Sequence, residues 1–310
     1  MPNAQRVIGV DFSSAPTPRK PITVAVGDVL TEDGFTCYQL AEVRELQSLD
    51  AFEVFLAEPG GWLGGFDLPF GQPRALIEHE GWPTDWAACV RYYCSQPKDR
   101  LRDVFRQWCN ARPPGAKFAW RKADKPAGSS PAMRWTNPPV AWMMHAGIGR
   151  MLEAGLVFPA HRFPTARPSR SRSARIALEA YPAFTARQAC RGSYKSDTPA
   201  AWTPERRANR QQILQSLCAG TAGLSVRLAA TCQQQRRLLE DGRGDLLDAV
   251  ICGLQAAHAA AQRGFGLPRD LDPLEGWIAS VPAPPAEHGR DRGPANKRLN
   301  RRPGGEQPGS

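Results

Sequence analysis

Five carboxylates in this chain stand where an apolar run stops or a helix begins, and together they are the residues best suited to chemistry. Asp11 ends the run VIGV in VIGVDFSSAP, Asp67 ends WLGGF in WLGGFDLPFG, and Glu179 ends RIAL in RIALEAYPA. Asp245 and Asp248 open DLLDAVICGLQAA directly after DGRG. Any one of them alone is an ordinary feature, because Asp is a common turn former and acidic residues favour the first turn of a helix. The pattern carries more information than its members. In open α/β sheets the loops at the carboxyl ends of strands converge on one edge, so three strand-end acids and two helix-start acids predict a shared acidic site. Such carboxylates repel one another unless a cation or proton neutralises them. Oxygen donors without His or Cys suit Mg²⁺ or Mn²⁺, and two such ions can promote phosphodiester cleavage.

The elements needed to position these residues can be read from periodicity. Residues 6 to 11, 21 to 30 and 35 to 43 read as three strands of a meander, with the turn TEDG between the second and third. A helix is predicted over residues 45 to 57, ended by Pro59-Gly60-Gly61, and a strand over 62 to 66. A further strand falls at 175 to 178, a helix at about 204 to 218, and a long Ala/Leu helix begins at Asp245. Spaced i, i+3, Asp245 and Asp248 share a face of that helix.

Between residues 76 and 174 the character changes. Residues 82 to 142 hold six of the nine tryptophans and 11 Lys/Arg against 4 Asp/Glu. Helices are predicted at 85 to 94, 99 to 110 and 139 to 154, with a Pro/Gly-rich loop between the second and third. This stretch reads as a basic, Trp-rich insertion or cap on a discontinuous core of residues 1 to 75 and 175 to 280. The tryptophans of a helical insertion are expected mainly in its own core. Residues 161 to 175 contain five arginines and no acid, and residues 281 to 310 read as a disordered tail.

The net charge of +10 and a pI near 9.5 favour an anionic partner, DNA or RNA foremost. Lys195 in GSYKSD is placed to hold a phosphate near the acidic site, and Tyr194 to stack on a base. Arg112, Lys117, Arg121 and Lys122, close to Trp120 in sequence, interleave charge and aromatic surface as single-stranded nucleic acid requires. Glu275 in LEGWI reads as a turn residue. His145 and His161 have no partners at metal-binding or catalytic spacing. The eight cysteines show no CxxC pair and are expected as reduced thiols. No run is apolar enough to span a bilayer and MPNAQR leads straight into a strand, which predicts a soluble, cytoplasmic protein without a membrane partner. There is no GxxxxGK[ST], no GxGxxG after a strand, no HExxH and no GxSxG, so the usual support for kinase, dehydrogenase and serine-hydrolase chemistry is missing.

Three strands in a meander, a helix, a strand ending in Asp and a late helix opening DxxDA resemble the ribonuclease H-like fold, particularly its RuvC-type resolvase branch. More narrowly, VIGVDFSSAP, GFDLPFG, LEAYPAF with GSYKSD, DLLDAVICGLQAA and DPLEGWI resemble the domain-of-unknown-function 429 family of predicted nucleases. The resemblance spans most of residues 6 to 278. It implies an α/β core with a ribonuclease H-like mixed sheet flanked by helices, in which Asp11 is the metal-bridging acid of the first strand and Asp67 the acid ending the fourth. Asp245 or Asp248 completes the site; Glu179, which the resolvase pattern does not place, is read from its strand-end position as an auxiliary ligand or base. The implied activity is Mg²⁺- or Mn²⁺-dependent hydrolysis of nucleic acid. The alternatives are a non-catalytic nucleic-acid-binding protein that keeps the fold, and a nucleotide phosphohydrolase related to the actin-like ATPases, which use two copies of it.

Overall fold

A computed structural model describes residues 5–32, 35–161 and 174–283 of the chain. The predicted turn at 33–34, the arginine-rich stretch at 162–173 and the tail from 284 onward lie outside the described residues. Six strands form one mixed sheet: β1 (Gln5–Asp11), β2 (Ile22–Glu32), β3 (Phe35–Leu46), β4 (Trp62–Asp67), β5 (Arg175–Glu179) and β6 (Val226–Ala229). Their order is β5-β4-β1-β2-β3-β6. The meander β1, β2, β3 is antiparallel, whereas β4 runs parallel to β1, β5 to β4 and β6 to β3.

The helices are α1 (Leu49–Ala57), α2 (Arg74–His79), α3 (Trp86–Ser95), α4 (Lys98–Asn110), α5 (Asp124–Ala127), α6 (Val140–Glu153), α7 (Pro182–Ala189), α8 (Pro204–Ala219), α9 (Cys232–Glu240) and α10 (Asp245–Ala260). The predicted start of the first helix at residue 45 is corrected. Glu45 and Leu46 continue β3 and pair with Thr23 and Ile22 of β2. The helix begins only at Leu49, where the Ser48 hydroxyl accepts from the Ala51 amide at 3.0 Å. Strand β6 has only four residues and α9 a strongly polar composition, so neither stands out by periodicity; α9 is set locally by a capping box between Thr231 and Gln234.

Strand alternation sorts the core into two layers. Ile8, Val10, Val24, Val26 and Phe66 face α1 and the helices of residues 76 to 161. Val7, Ala25, Tyr38, Leu63 and Leu178 face α8 and α10. Trp82, Trp86 and Trp108 are buried in the same cluster as Ile8 and Phe66. The insertion therefore covers one face of the sheet and shares its core. All eight cysteines are free thiols. Among the described residues no helix is long and apolar enough to cross a membrane.

On the opposite face α10 lies against β1 and β4 at backbone distance. A Cβ on Gly9 would sit 2.0 Å from the Ala249 carbonyl oxygen and 2.1 Å from the Gly253 amide nitrogen, and one on Gly65 would sit 2.2 Å from the Cys252 carbonyl oxygen. Helix α10 is buried along almost its whole length. Since these obstacles are backbone, no rotamer change can make room. Gly9→Ala is expected to cost about 3 kcal/mol or more, at the upper end for overpacking, measured by urea unfolding; a loss below about 1 kcal/mol would show that α10 can shift outward freely.

Candidate acidic site at the carboxyl edge of the sheet

The parallel register of β1 and β4 pairs Asp11 directly with Asp67. Both side chains end their strands at the same edge, partly open to solvent. Helix α10 packs its Ala249 on Gly9 and its Cys252 on Gly65, and its first turn lies at the strand ends, where Asp245 and Asp248 act on Asp11 and Asp248 on Asp67. Asp245 and Asp248 arrive there, both buried. Gly244 precedes them with φ of 77°, a left-handed conformation that favours glycine, and its missing Cβ leaves room for Lys195, whose Cβ would be 2.8 Å away.

The four aspartates are held differently. Burial pushes the Asp11 carboxyl well above its usual range; Lys195 opposes the shift, while Asp245, Asp248 and Asp67 add to it by repulsion. Asp67 is pushed up to about 7, mainly by burial, with Lys195 opposing and Asp248 and Glu179 contributing. Asp245 rises to about 6 through burial and the neighbouring Asp241, partly offset by Lys20, Arg243 and Lys195. One of its oxygens, Oδ2, is buried without a hydrogen-bond partner, and the Arg243 Nε lies 3.5 Å from it. Asp248 is saturated: Tyr194 donates its hydroxyl to Oδ1 at 2.6 Å and Lys195 donates its ammonium to Oδ2.

The segment carrying Tyr194 and Lys195 is fixed from three sides. Arg210 donates to the Tyr194 carbonyl at 2.6 Å, Asn209 to the Ser193 carbonyl at 2.9 Å, and the Ser196 amide to the Gly242 carbonyl at 3.1 Å. Trp202 lies over Gly242, where a Cβ would approach its ring to 2.2 Å. Lys195 therefore sits in the acidic site. Burial depresses its pKa, but Asp248, Tyr194 and Asp11 outweigh that and hold the ammonium well above its ordinary value. The Tyr194 ring is itself buried and committed to Asp248. That placement does not fit the expected role in stacking on a base.

Glu179 belongs to a second, compensated cluster beside Asp67. Arg121 donates to its two oxygens at 2.6 and 2.8 Å, and the Phe70 amide donates at 3.0 Å. Arg121 also donates to Asp124 at 2.8 and 3.1 Å. The Glu275 carboxylate accepts from the Arg74 amide at 2.8 Å and the Lys122 amide at 2.9 Å, and its carbonyl accepts from Arg121 at 3.3 Å. The expectation of a surface phosphate contact at Arg121 does not fit this arrangement, because its side chain is 1% exposed and committed to two carboxylates and a backbone carbonyl. Glu275 lies in a turn, as expected, and its carboxylate also ties that turn to the start of α2 and to the loop at Lys122. Arg112 lies on the Trp108 ring, 3.1 Å from its centroid, and donates to the Trp108 carbonyl, while Lys117 is exposed. Neither Arg112 nor Lys117 joins either carboxylate cluster. Sequence reasoning missed Asp124; its i, i+3 spacing from Arg121 was the available signal.

Among the described residues no group of three His, Cys, Asp or Glu side chains is gathered closely enough to hold a metal ion. The donor chemistry nevertheless fits a hard divalent cation. Mg²⁺ commonly uses only one or two carboxylates plus water and substrate oxygens, and Asp11 and Asp67 offer that pair. The unpartnered Asp245 oxygen is further oxygen ligand surface at the same edge. Comparison with protein-family models, curated proteins and solved structures returned no match for the chain.

The metal-free protein should lose stability as pH rises. Asp67 and Asp245 have folded-state values of about 7 and about 6 against an ordinary 3.8, so their protonated forms favour the fold, and that contribution disappears as pH climbs through these values. Urea unfolding in EDTA should accordingly show a falling midpoint between about pH 4 and pH 7, flattened by Asp67→Asn. Arg121→Met, which strands Glu179 and Asp124 without their buried cation, should destabilise by about 3–5 kcal/mol; a loss of less than about 1 kcal/mol would show that water reaches this cluster.

Proposed function

We infer that this protein is a metal-dependent hydrolase of nucleic-acid phosphodiester bonds, built on a ribonuclease H-like core and related to the domain-of-unknown-function 429 family. The observation that carries the reading is the direct register pairing of Asp11 with Asp67 at the ends of adjacent parallel strands, faced by the first turn of α10. The order β3-β2-β1-β4-β5 within the sheet and the placement of α10 over β1 and β4 support the ribonuclease H-like assignment. Strand β6, parallel to β3 at the outer edge, extends that core.

In this reading Asp11 and Asp67 would hold Mg²⁺ or Mn²⁺, with Asp245 completing the acidic wall. When bound, the ion supplies Lewis acidity to phosphoryl oxygens and lowers the cost of water attack at phosphorus. Lys195 stands on the same edge and holds a non-bridging phosphate oxygen through its ammonium. Asp248 and Tyr194 fix where that ammonium stands, so they position Lys195 and do not handle protons. Glu179 is a structural neighbour of Asp67, anchored by Arg121, and tunes its charge. In the overall hydrolysis, water adds its oxygen to phosphorus, the ester bond to one sugar oxygen breaks, and that oxygen leaves with a proton. Burial of Asp11, with repulsion from Asp245, Asp248 and Asp67 adding to it, supports cation binding on physical grounds, since a divalent ion would favour the ionised carboxylates.

The test is calorimetric titration of Mg²⁺ and Mn²⁺ into the wild type and Asp11→Asn, with cleavage of labelled DNA and RNA measured on the same samples. Loss of both binding and cleavage in Asp11→Asn is the expected result. Cleavage that survives the substitution, or a wild type that binds neither ion, would refute the reading.

A further inference from the structure

A cavity of about 600 Å³ is lined among others by Ser14, Arg91, Lys98, His145, Arg150 and Glu153, none of them a member of the acidic cluster. Its size lies within the range of about 300–1,000 Å³ common for ligand sites. Three cations face one carboxylate. Of the three, Arg150 is paired, to Glu53 at 2.7 Å, which leaves Arg91 and Lys98 uncompensated among the described residues. His145 adds no charge: its Nε2 is bonded to the Gln96 carbonyl at 2.9 Å, and burial lowers its pKa. The Cys94 thiol in the wall is pushed up to about 11 by burial, so it is neutral at physiological pH and the cavity offers no thiolate nucleophile.

An aromatic surface borders the cations. The Lys98 ammonium lies 5.8 Å from the centroid of the half-buried Trp142 ring, and the Arg102 guanidinium lies 6.0 Å from it. Cationic groups that track a backbone beside a ring that can stack on a base are the elements of single-strand recognition. The cavity is also joined to the acidic edge. Gly147 of α6 lies against Phe12 and Leu68, the residues immediately after Asp11 and Asp67, so closely that a Cβ would be 2.9 Å from one and 3.0 Å from the other. The same helix supplies His145, Arg150 and Glu153 to the cavity wall. Ser14, on the cavity lining, is three residues from Asp11, within about 11 Å by chain reach.

We propose that this cavity is the strand-binding subsite of the acidic centre, taking the phosphate backbone of single-stranded nucleic acid a few nucleotides from the scissile bond, with Arg91 and Lys98 on phosphates and Trp142 under a base. The assignment rests on the hydrolase reading for its substrate class. Arg91 and Lys98 are exposed helix-surface residues, so substituting them leaves the core intact.

The experiment is fluorescence anisotropy of a fluorescein-labelled single-stranded oligonucleotide in EDTA across a salt series, with Mg²⁺-dependent cleavage of the same oligonucleotide measured in parallel. Arg91→Gln/Lys98→Gln is expected to weaken binding at least about tenfold and to reduce the slope of log affinity against log salt by about 1.4. The swap Arg91→Lys/Lys98→Arg should retain binding. So should Arg236→Gln/Arg263→Gln, which removes the same charge from exposed positions outside the cavity. Equal losses in both glutamine pairs would reduce the effect to net charge and overturn the subsite, as would unchanged affinity in Arg91→Gln/Lys98→Gln or a wild type that does not bind. The two readings separate cleanly. Site-specific binding without Mg²⁺-dependent cleavage upholds the subsite and defeats the hydrolase, whereas cleavage with undiminished binding in Arg91→Gln/Lys98→Gln defeats the subsite alone.

Discussion

The backbone contact between α10 and the two central parallel strands is the constraint on which the rest of this molecule depends. Gly9 on β1 and Gly65 on β4 present no side chain to α10, and the helix closes onto them until its carbonyls and amides occupy the space a Cβ would need. Gly253 extends the contact on the helix side, lying against the Tyr38 ring of β3. So close an approach admits very little sliding. The first turn of α10 is thereby fixed relative to the strand ends, and with it the positions of Asp245 and Asp248 relative to Asp11 and Asp67.

Charge at the sheet edge is resolved in two opposite ways. Around Glu179 every buried negative oxygen has a donor, because Arg121 and neighbouring amides were brought in with it; this is the satisfied state that a buried ionic cluster needs to persist. Around Asp11 and Asp67 the compensation is incomplete. Lys195 opposes both shifts but is directed at Asp248, and burial, with neighbouring acids adding to it, makes Asp11 and Asp67 hold protons more tightly. One cluster has the chemistry of a structural tie and the other keeps like charges close together, although they share a strand edge.

The insertion supplies aromatic side chains both to the core and to the surface. Its buried tryptophans complete the hydrophobic layer over β1 and β4, and Trp86 stacks on His161 with centroids 4.2 Å apart. Of its less buried ones, Trp120 and Trp142 stay near lysines and arginines, whereas Trp135 packs on Phe105 and Phe118. Because α6 packs through Gly147 on the residues following both strand-end aspartates, the insertion and the acidic edge are mechanically one unit.

The sequence by itself determined the strands of the meander, the three longer helices of the insertion and the acids that end β1, β4 and β5, because each is written in local periodicity: two for strands, 3.6 for helices, and abrupt polarity at an apolar run's end. It also placed Asp245 and Asp248 on one helix face, a consequence of spacing alone. Tertiary structure decided what those residues have become. Arg121 and Glu179 are 58 positions apart, and nothing local marks them as a buried pair. Tyr194 reads as a residue that stacks on a base, yet its ring is buried against Asp248 with the half-exposed Lys195 beside it, because Arg210, Asn209 and Trp202 hold that loop at the start of α10. Strand β6 exists because β3 offers it an open edge, since four residues cannot hold a strand without a partner. Local pattern records which way each side chain leans along its own element, whereas the partner of a charge is chosen by whichever distant element packs against it, and that choice is visible only once the chain has folded.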